Sequence, residues 1–195
     1  MCVDPAFFLL IKIALYSYQV YHLNGWLSLG LGALAALTVL LICGFYLVYR
    51  LSGRRKVLPL VLRVATALVI AYCTYSLLYL SSVNSKSEGV RSHYRSLHPI
   101  LRVTLSTVTL ADSDLVITDM QRTRADYRRM GLPPRQQSLH YIQSTGYVHA
   151  VDVRTKGRSE WKNWLTEMVF KSLGYHTLRH AGTADHLHVA LPLND

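Results

Sequence analysis

From Gly25 to Tyr49 the chain reads GWLSLGLGALAALTVLLICGFYLVY, twenty-five residues without one charged side chain. As a helix, such a run exceeds the roughly 30 Å hydrocarbon thickness of a bilayer. A second apolar run, Val57 to Leu80, contains one arginine, Arg63 near its start, which can snorkel to the adjacent interface. Pro5 to Tyr21 is a third candidate, interrupted by Lys12. It is expected to span, lie in the interface or act as an uncleaved signal anchor; the count taken forward is three spans, at about 5–21, 25–49 and 57–80.

Between the second and third spans lies RLSGRRK, Arg50 to Lys56, with four positive charges. Positive loops stay in the cytoplasm, so the last span is expected to exit outward and carry the remainder of the chain to the far side. Nucleic-acid binding is excluded as the purpose of these charges, because seven residues between two spans offer no surface for it. The lipid bilayer is therefore the first expected partner.

After Ser81 the composition changes. From Asn84 onward there are fifteen Lys/Arg against ten Asp/Glu, and the cysteines, Cys2, Cys43 and Cys73, all precede this point. About 110 residues suffice for one small core. Any metal site there must use histidine and carboxylate. The expected organisation is an anchor over 1–82, a linker over 83–97 that opens with the polar SSVNSKSEG, and a domain over 98–195.

Local patterns predict an α+β fold, a small antiparallel sheet with helices on one side. The stretch after Pro99 suits either a helix or a strand, while DLVITD, GYVHAVDV and HLHVALPL read as strands. Thr123 and Asp126 open a short helix through Met130 that Gly131 and two prolines stop. Ser159 caps another, ended by Gly174, whose apolar residues Trp161, Trp164, Leu165, Met168 and Leu173 are assigned to the core. His22, His93, His98, His176 and His180 read as ordinary polar residues.

Two segments concentrate metal-binding side chains: His140, His149 and Asp152 in SLHYIQSTGYVHAVDV, and Asp185, His186 and His188 in TADHLHVAL. Neutral imidazole and carboxylate are zinc ligands, and a catalytic site also needs a carboxylate off the metal to accept a proton. Strand alternation puts His149 on the face opposite Asp152, while His140 can swing toward it. Spacing does not choose between His186 and His188. Asp185 lies three residues before His188, near enough to deprotonate a water beside it.

These residues resemble peptidase family M15, the zinc D-Ala-D-Ala carboxypeptidases and phage L-Ala-D-Glu endolysins. The family pattern S-x-H-x-x-G-x-A-x-D is followed by Ser138, His140, Gly146, Ala150 and Asp152, and its acidic residue three before a last histidine by Asp185 and His188. Arg122 and Thr123 take the place of an arginine turn after a strand. The interval from His140 to Asp152 holds eleven residues where the family has six, so His149 stays open as an alternative first ligand. The resemblance covers about 112–191. It implies Zn2+ on His140, Asp152 and His188, Asp185 as general base and Arg122 facing the oxyanion.

With the anchor, the resemblance implies a membrane-anchored hydrolase of peptidoglycan peptide stems, an endopeptidase or carboxypeptidase. Its expected location is an inner or virion membrane, with the C-terminal domain on the periplasmic or outer side. A non-catalytic tail that binds wall or a partner, and a holin-like permeabilising protein, are the competing expectations.

Overall fold

A computed structural model describes residues 5–52, 57–129, 131, 133, 137–182 and 185–193. The chain opens with three helices, α1 (Pro5–Val20), α2 (Gly25–Ser52) and α3 (Leu58–Leu78). Asn24 starts α2 by accepting the backbone N–H groups of Trp26 and Leu27 at 3.1 and 2.9 Å.

Two helices, Gly25–Leu51 and Leu58–Leu78, are long and apolar enough to cross a membrane. Most of their surface is uncovered, and Leu34, Ile42, Tyr46, Leu60 and Ile70 are each more than half exposed. A soluble protein rarely leaves so much contiguous apolar surface bare. Four residues of the basic loop, 53–56, lie outside the described residues.

The third candidate span is the helix α1. Its sixteen described residues extend about 24 Å, and residues 1–4 lie outside the described residues. It buries Leu10, Ala14, Leu15 and Tyr18 against the rest of the protein. α1 packs so closely on α2 that a Cβ at Gly32 would lie 2.3 Å from the Leu10 carbonyl oxygen, which only glycine permits.

α5 (Pro99–Ala111) resolves the ambiguous stretch as a helix, with eleven of its thirteen residues buried. Its hydroxyls bond within the helix, Thr104 to the Ile100 carbonyl and Thr107 to the Val103 carbonyl, so threonine is tolerated in a buried helix. α5 contacts α1, α2 and α3 on one side. Toward the sheet, Thr104 shares a 2.7 Å hydrogen bond with the Tyr175 hydroxyl.

The segment expected as a linker is three short helical turns, at Ser82–Asn84, Glu88–Ser92 (α4) and Tyr94–Ser96. The Asn84 amide donates to the carbonyls of Ser113 and Leu115, and Tyr94 and Leu97 are buried. One continuous apolar core therefore runs from α1 through Leu97 and α5 to the sheet.

Four strands, β1 (Ile117–Asp119), β2 (Ala150–Arg154), β3 (His176–His180) and β4 (His186–Ala190), form an antiparallel sheet in the order β1-β2-β4-β3. β3 was not anticipated from the sequence. α6 (Arg124–Arg129) begins with the expected capping box, Asp126 accepting from the Thr123 backbone at 2.7 Å. Its expected last residue, Met130, lies outside the described residues, as do Leu132 and Pro134.

α7 (Glu160–Leu173) ends at Gly174, whose φ of 114° suits glycine. Its tryptophans are a correction: Trp161 and Trp164 are 64% and 51% exposed and stacked on each other. Two stripes of helical spacing compete on α7. The sheet takes the one with Asn163, Thr166, Phe170 and Leu173, because Asn163 also satisfies the Thr155 carbonyl.

Candidate metal centre

Pairing of β2 with β4 sets Asp152 opposite His188. Val151, Val153, Leu187 and Val189 belong to the apolar core. Alternation therefore sends Asp152, His186 and His188 to the other face of the sheet. There a cavity of about 780 Å³ opens, lined by His140, Asp152 and His188 together with Asp119, Arg122, Asp185 and His186.

His140 reaches this face from the preceding loop. Residues 142–148 fold into a tight hairpin, with an antiparallel bridge between Ile142 and Val148 and Gly146 at φ 80°. The hairpin absorbs the long interval, and the His149 amide donates to the Leu139 carbonyl at 2.9 Å, which fixes His140 beside the start of β2. Ser138 supports the turn by accepting the His140 amide and sharing a 2.7 Å hydrogen bond with the Tyr127 hydroxyl.

The Nδ1 of His140 lies 2.5 Å from the Met120 carbonyl oxygen. A carbonyl can only accept, so Nδ1 carries the proton and Nε2 presents its lone pair. Nε2 lies 3.2 Å from His188 Nδ1 and 3.3 Å from Asp152 Oδ1, and the latter two atoms are 2.9 Å apart. Zinc bonds of about 2.0–2.1 Å place tetrahedral ligands about 3.3 Å apart, so this triangle fits one face of such a site. His140, Asp152 and His188 are thus a group able to hold a metal ion. His140 and Asp152 are 2% exposed while His188 is only partly covered, so the free side faces the cavity.

Burial alone would raise the Asp152 carboxyl. The neighbouring His140 and His188 imidazoles and the charge of Arg122 outweigh it and hold the group well below the usual carboxylate range. Arg122 donates through one guanidinium nitrogen to Asp152 Oδ2 and through Nε to Asp119 at 2.7 Å. It therefore leaves Oδ1 to the two imidazoles.

Asp185 lies on the cavity wall outside this group. Its carboxylate accepts from the Thr155 hydroxyl at 2.7 Å and pairs with Arg179 at 3.3 Å, and these bonds hold it below the usual range. His149 is buried on the opposite face, hydrogen-bonded to the Thr145 hydroxyl and packed against His98 and Tyr18.

Two readings of single histidines change. His98 is 2% exposed between Tyr18, Tyr147 and His149, and burial beside His149 and Arg102 pushes it down to about 3. His180 lines the cavity and stacks on His186 across the β3–β4 pair at 4.8 Å. His186 Nε2 is 3.8 Å from Asp152 Oδ2. Period-2 spacing already puts His186 on the face of His188, but nothing in the sequence marks β3.

No protein-family model, curated protein or solved structure matches the chain.

Proposed function

We propose that this protein is a membrane-inserted, zinc-dependent peptidase acting on peptide stems of bacterial peptidoglycan. The observation that carries the reading is the convergence of His140, Asp152 and His188 on one point at the floor of an open cavity. These are the positions that the resemblance to the zinc carboxypeptidases and endolysins marks as ligands. Zinc bound there would supply Lewis-acid activation of a water and of the scissile carbonyl.

The remaining chemistry belongs to the chain. Met120 locks the His140 tautomer, and Arg122 orients Asp152 while standing at the cavity wall as a donor for developing negative charge. Asp185 is the proton acceptor. Thr155 and Arg179 hold it ionised at the wall.

In this reading α2 and α3 form a membrane hairpin with the basic loop in the cytoplasm. The Trp26 indole donates to the Tyr147 hydroxyl, and Tyr94 and Arg102 donate to the carbonyls of Ser76 and Leu77. Both outer ends of the hairpin therefore meet the globular half. α1 packs there as well, so in this reading it lies on the same side as the metal centre.

The test uses the full chain in detergent, loaded with zinc and incubated with muropeptides whose masses are then measured. Products shortened by hydrolysis of a peptide bond are expected, with at least about a hundredfold loss in Asp185→Asn at unchanged zinc content. Intact muropeptides with one zinc bound would leave a metal-stabilised binding module instead.

A further inference from the structure

The cavity carries charge that the proposed chemistry does not use. Its lining carboxylates are all engaged, Asp119 and Asp152 by Arg122, and Asp185 by Thr155 and Arg179. Three further cations line the same wall, Lys86, Arg154 and Lys156, and among the described residues no carboxylate pairs with any of them.

Their placement is set by the fold. Arg154 follows Asp152 by two residues on β2, so both side chains leave the same face, about 6.6 Å apart along the strand. Lys156 continues from the end of that strand. Lys86 enters from the opposite edge, its backbone N–H donating to the Ile117 carbonyl at 2.8 Å. Uncompensated positive charge in a concave wall repels itself and draws in an anion, more strongly than the same charges on a convex surface.

We infer that Lys86, Arg154 and Lys156 form a carboxylate-binding subsite beside the metal centre, which makes an acidic peptide the ligand of this cavity. An extended peptide advances by the same 3.2–3.4 Å per residue or slightly more. The recognised carboxylate then stands about two residues from the group at the metal. The inference rests on the peptidase reading for the peptide's orientation, but the subsite is tested by binding alone.

The experiment titrates the zinc-loaded full chain in detergent with two C-terminally amidated tetrapeptides, L-Ala-D-Glu-L-Lys-D-Ala and its D-Gln counterpart, and follows heat and peptide mass in parallel. The acidic peptide should bind at least tenfold more tightly. The double variant Arg154→Gln/Lys156→Gln should lose that preference while keeping its zinc, which certifies its fold. Equal binding of the two peptides, binding of neither, or a preference that survives in the double variant overturns the subsite. Preference without cleavage upholds the subsite and ends the peptidase reading, whereas cleavage of both peptides without preference does the reverse.

Discussion

Asp152 and His188 face each other across neighbouring antiparallel strands, with Oδ1 and Nδ1 2.9 Å apart. The contact joins residues thirty-six apart in sequence, and a slip of either strand by one residue would turn that strand's ligand into the core. Asp152→Asn removes the only carboxylate of the triangle and leaves the Arg122 guanidinium without one of its anions. Bound zinc, measured by elemental analysis, should fall from about one per chain to near zero. Retention of a full equivalent would place the ligands elsewhere.

His140 and His149 separate in the same assay. His140→Ala deletes a corner of the ligand triangle and should empty the site. His149→Ala lies on the helix side of the sheet, packed against His98 and Tyr18, and should keep most of the metal while lowering the melting temperature. The reverse pattern would show that the long interval places a different histidine at the metal.

Removing the first eighty-three residues should not release a folded metal domain. α5 is buried against α1, α2 and α3, and Ile100, Leu101 and Leu105 have no exposed surface. Burying each such side chain contributes about 1.5–3 kcal/mol, comparable in sum to the stability of a small domain. Size-exclusion chromatography and circular dichroism should show an aggregated or unfolded fragment. A monomeric fragment that binds zinc would show that the helical layer is dispensable.

Acid should destabilise the protein through His98. Its folded value, about 3, lies below the ordinary histidine value near 6.5, so protons bind the unfolded chain first. Stability is full above about pH 6.5 and declines as pH falls toward about 3, by roughly 1.4 kcal/mol per pH unit for this one proton. His98 Nδ1 has no hydrogen-bond partner among the described residues, and phenylalanine keeps an aromatic ring there without a titrating group. His98→Phe should flatten the fall in melting temperature across that window. An unchanged slope would assign the acid sensitivity to other groups.

Lys12 donates from α1 to the carbonyl of Ser172 at 2.5 Å, at the C-terminal end of α7, where a cation offsets the exposed carbonyls. Lys12→Met keeps the aliphatic stem and removes the charge. It should cost about 1 kcal/mol, read as a lower thermal midpoint with unchanged zinc content. No change would mean that solvent satisfies those carbonyls equally well.

Several elements were legible in the sequence because they depend on neighbours along the chain. Apolar length marked α2 and α3, Ser159 and Gly174 bounded α7, and alternation put Asp152 and His149 on opposite faces of the sheet. Tertiary structure decided what depends on which surfaces meet. α1 has an apolar composition that suits a membrane, but its Lys12 and Gln19 reach the end of α7. The polar stretch after Ser81 looks like a tether, yet Asn84 and Lys86 bind the segment leading into β1. Trp161 and Trp164 repeat at a helical spacing that equals that of Phe170 and Leu173, and only the position of the sheet chooses between the two stripes. The sequence by itself determined the ligand types and the two long apolar helices. Their convergence into one site, resting on a helical layer that shares its core, was decided by strand register and packing, which no local pattern encodes.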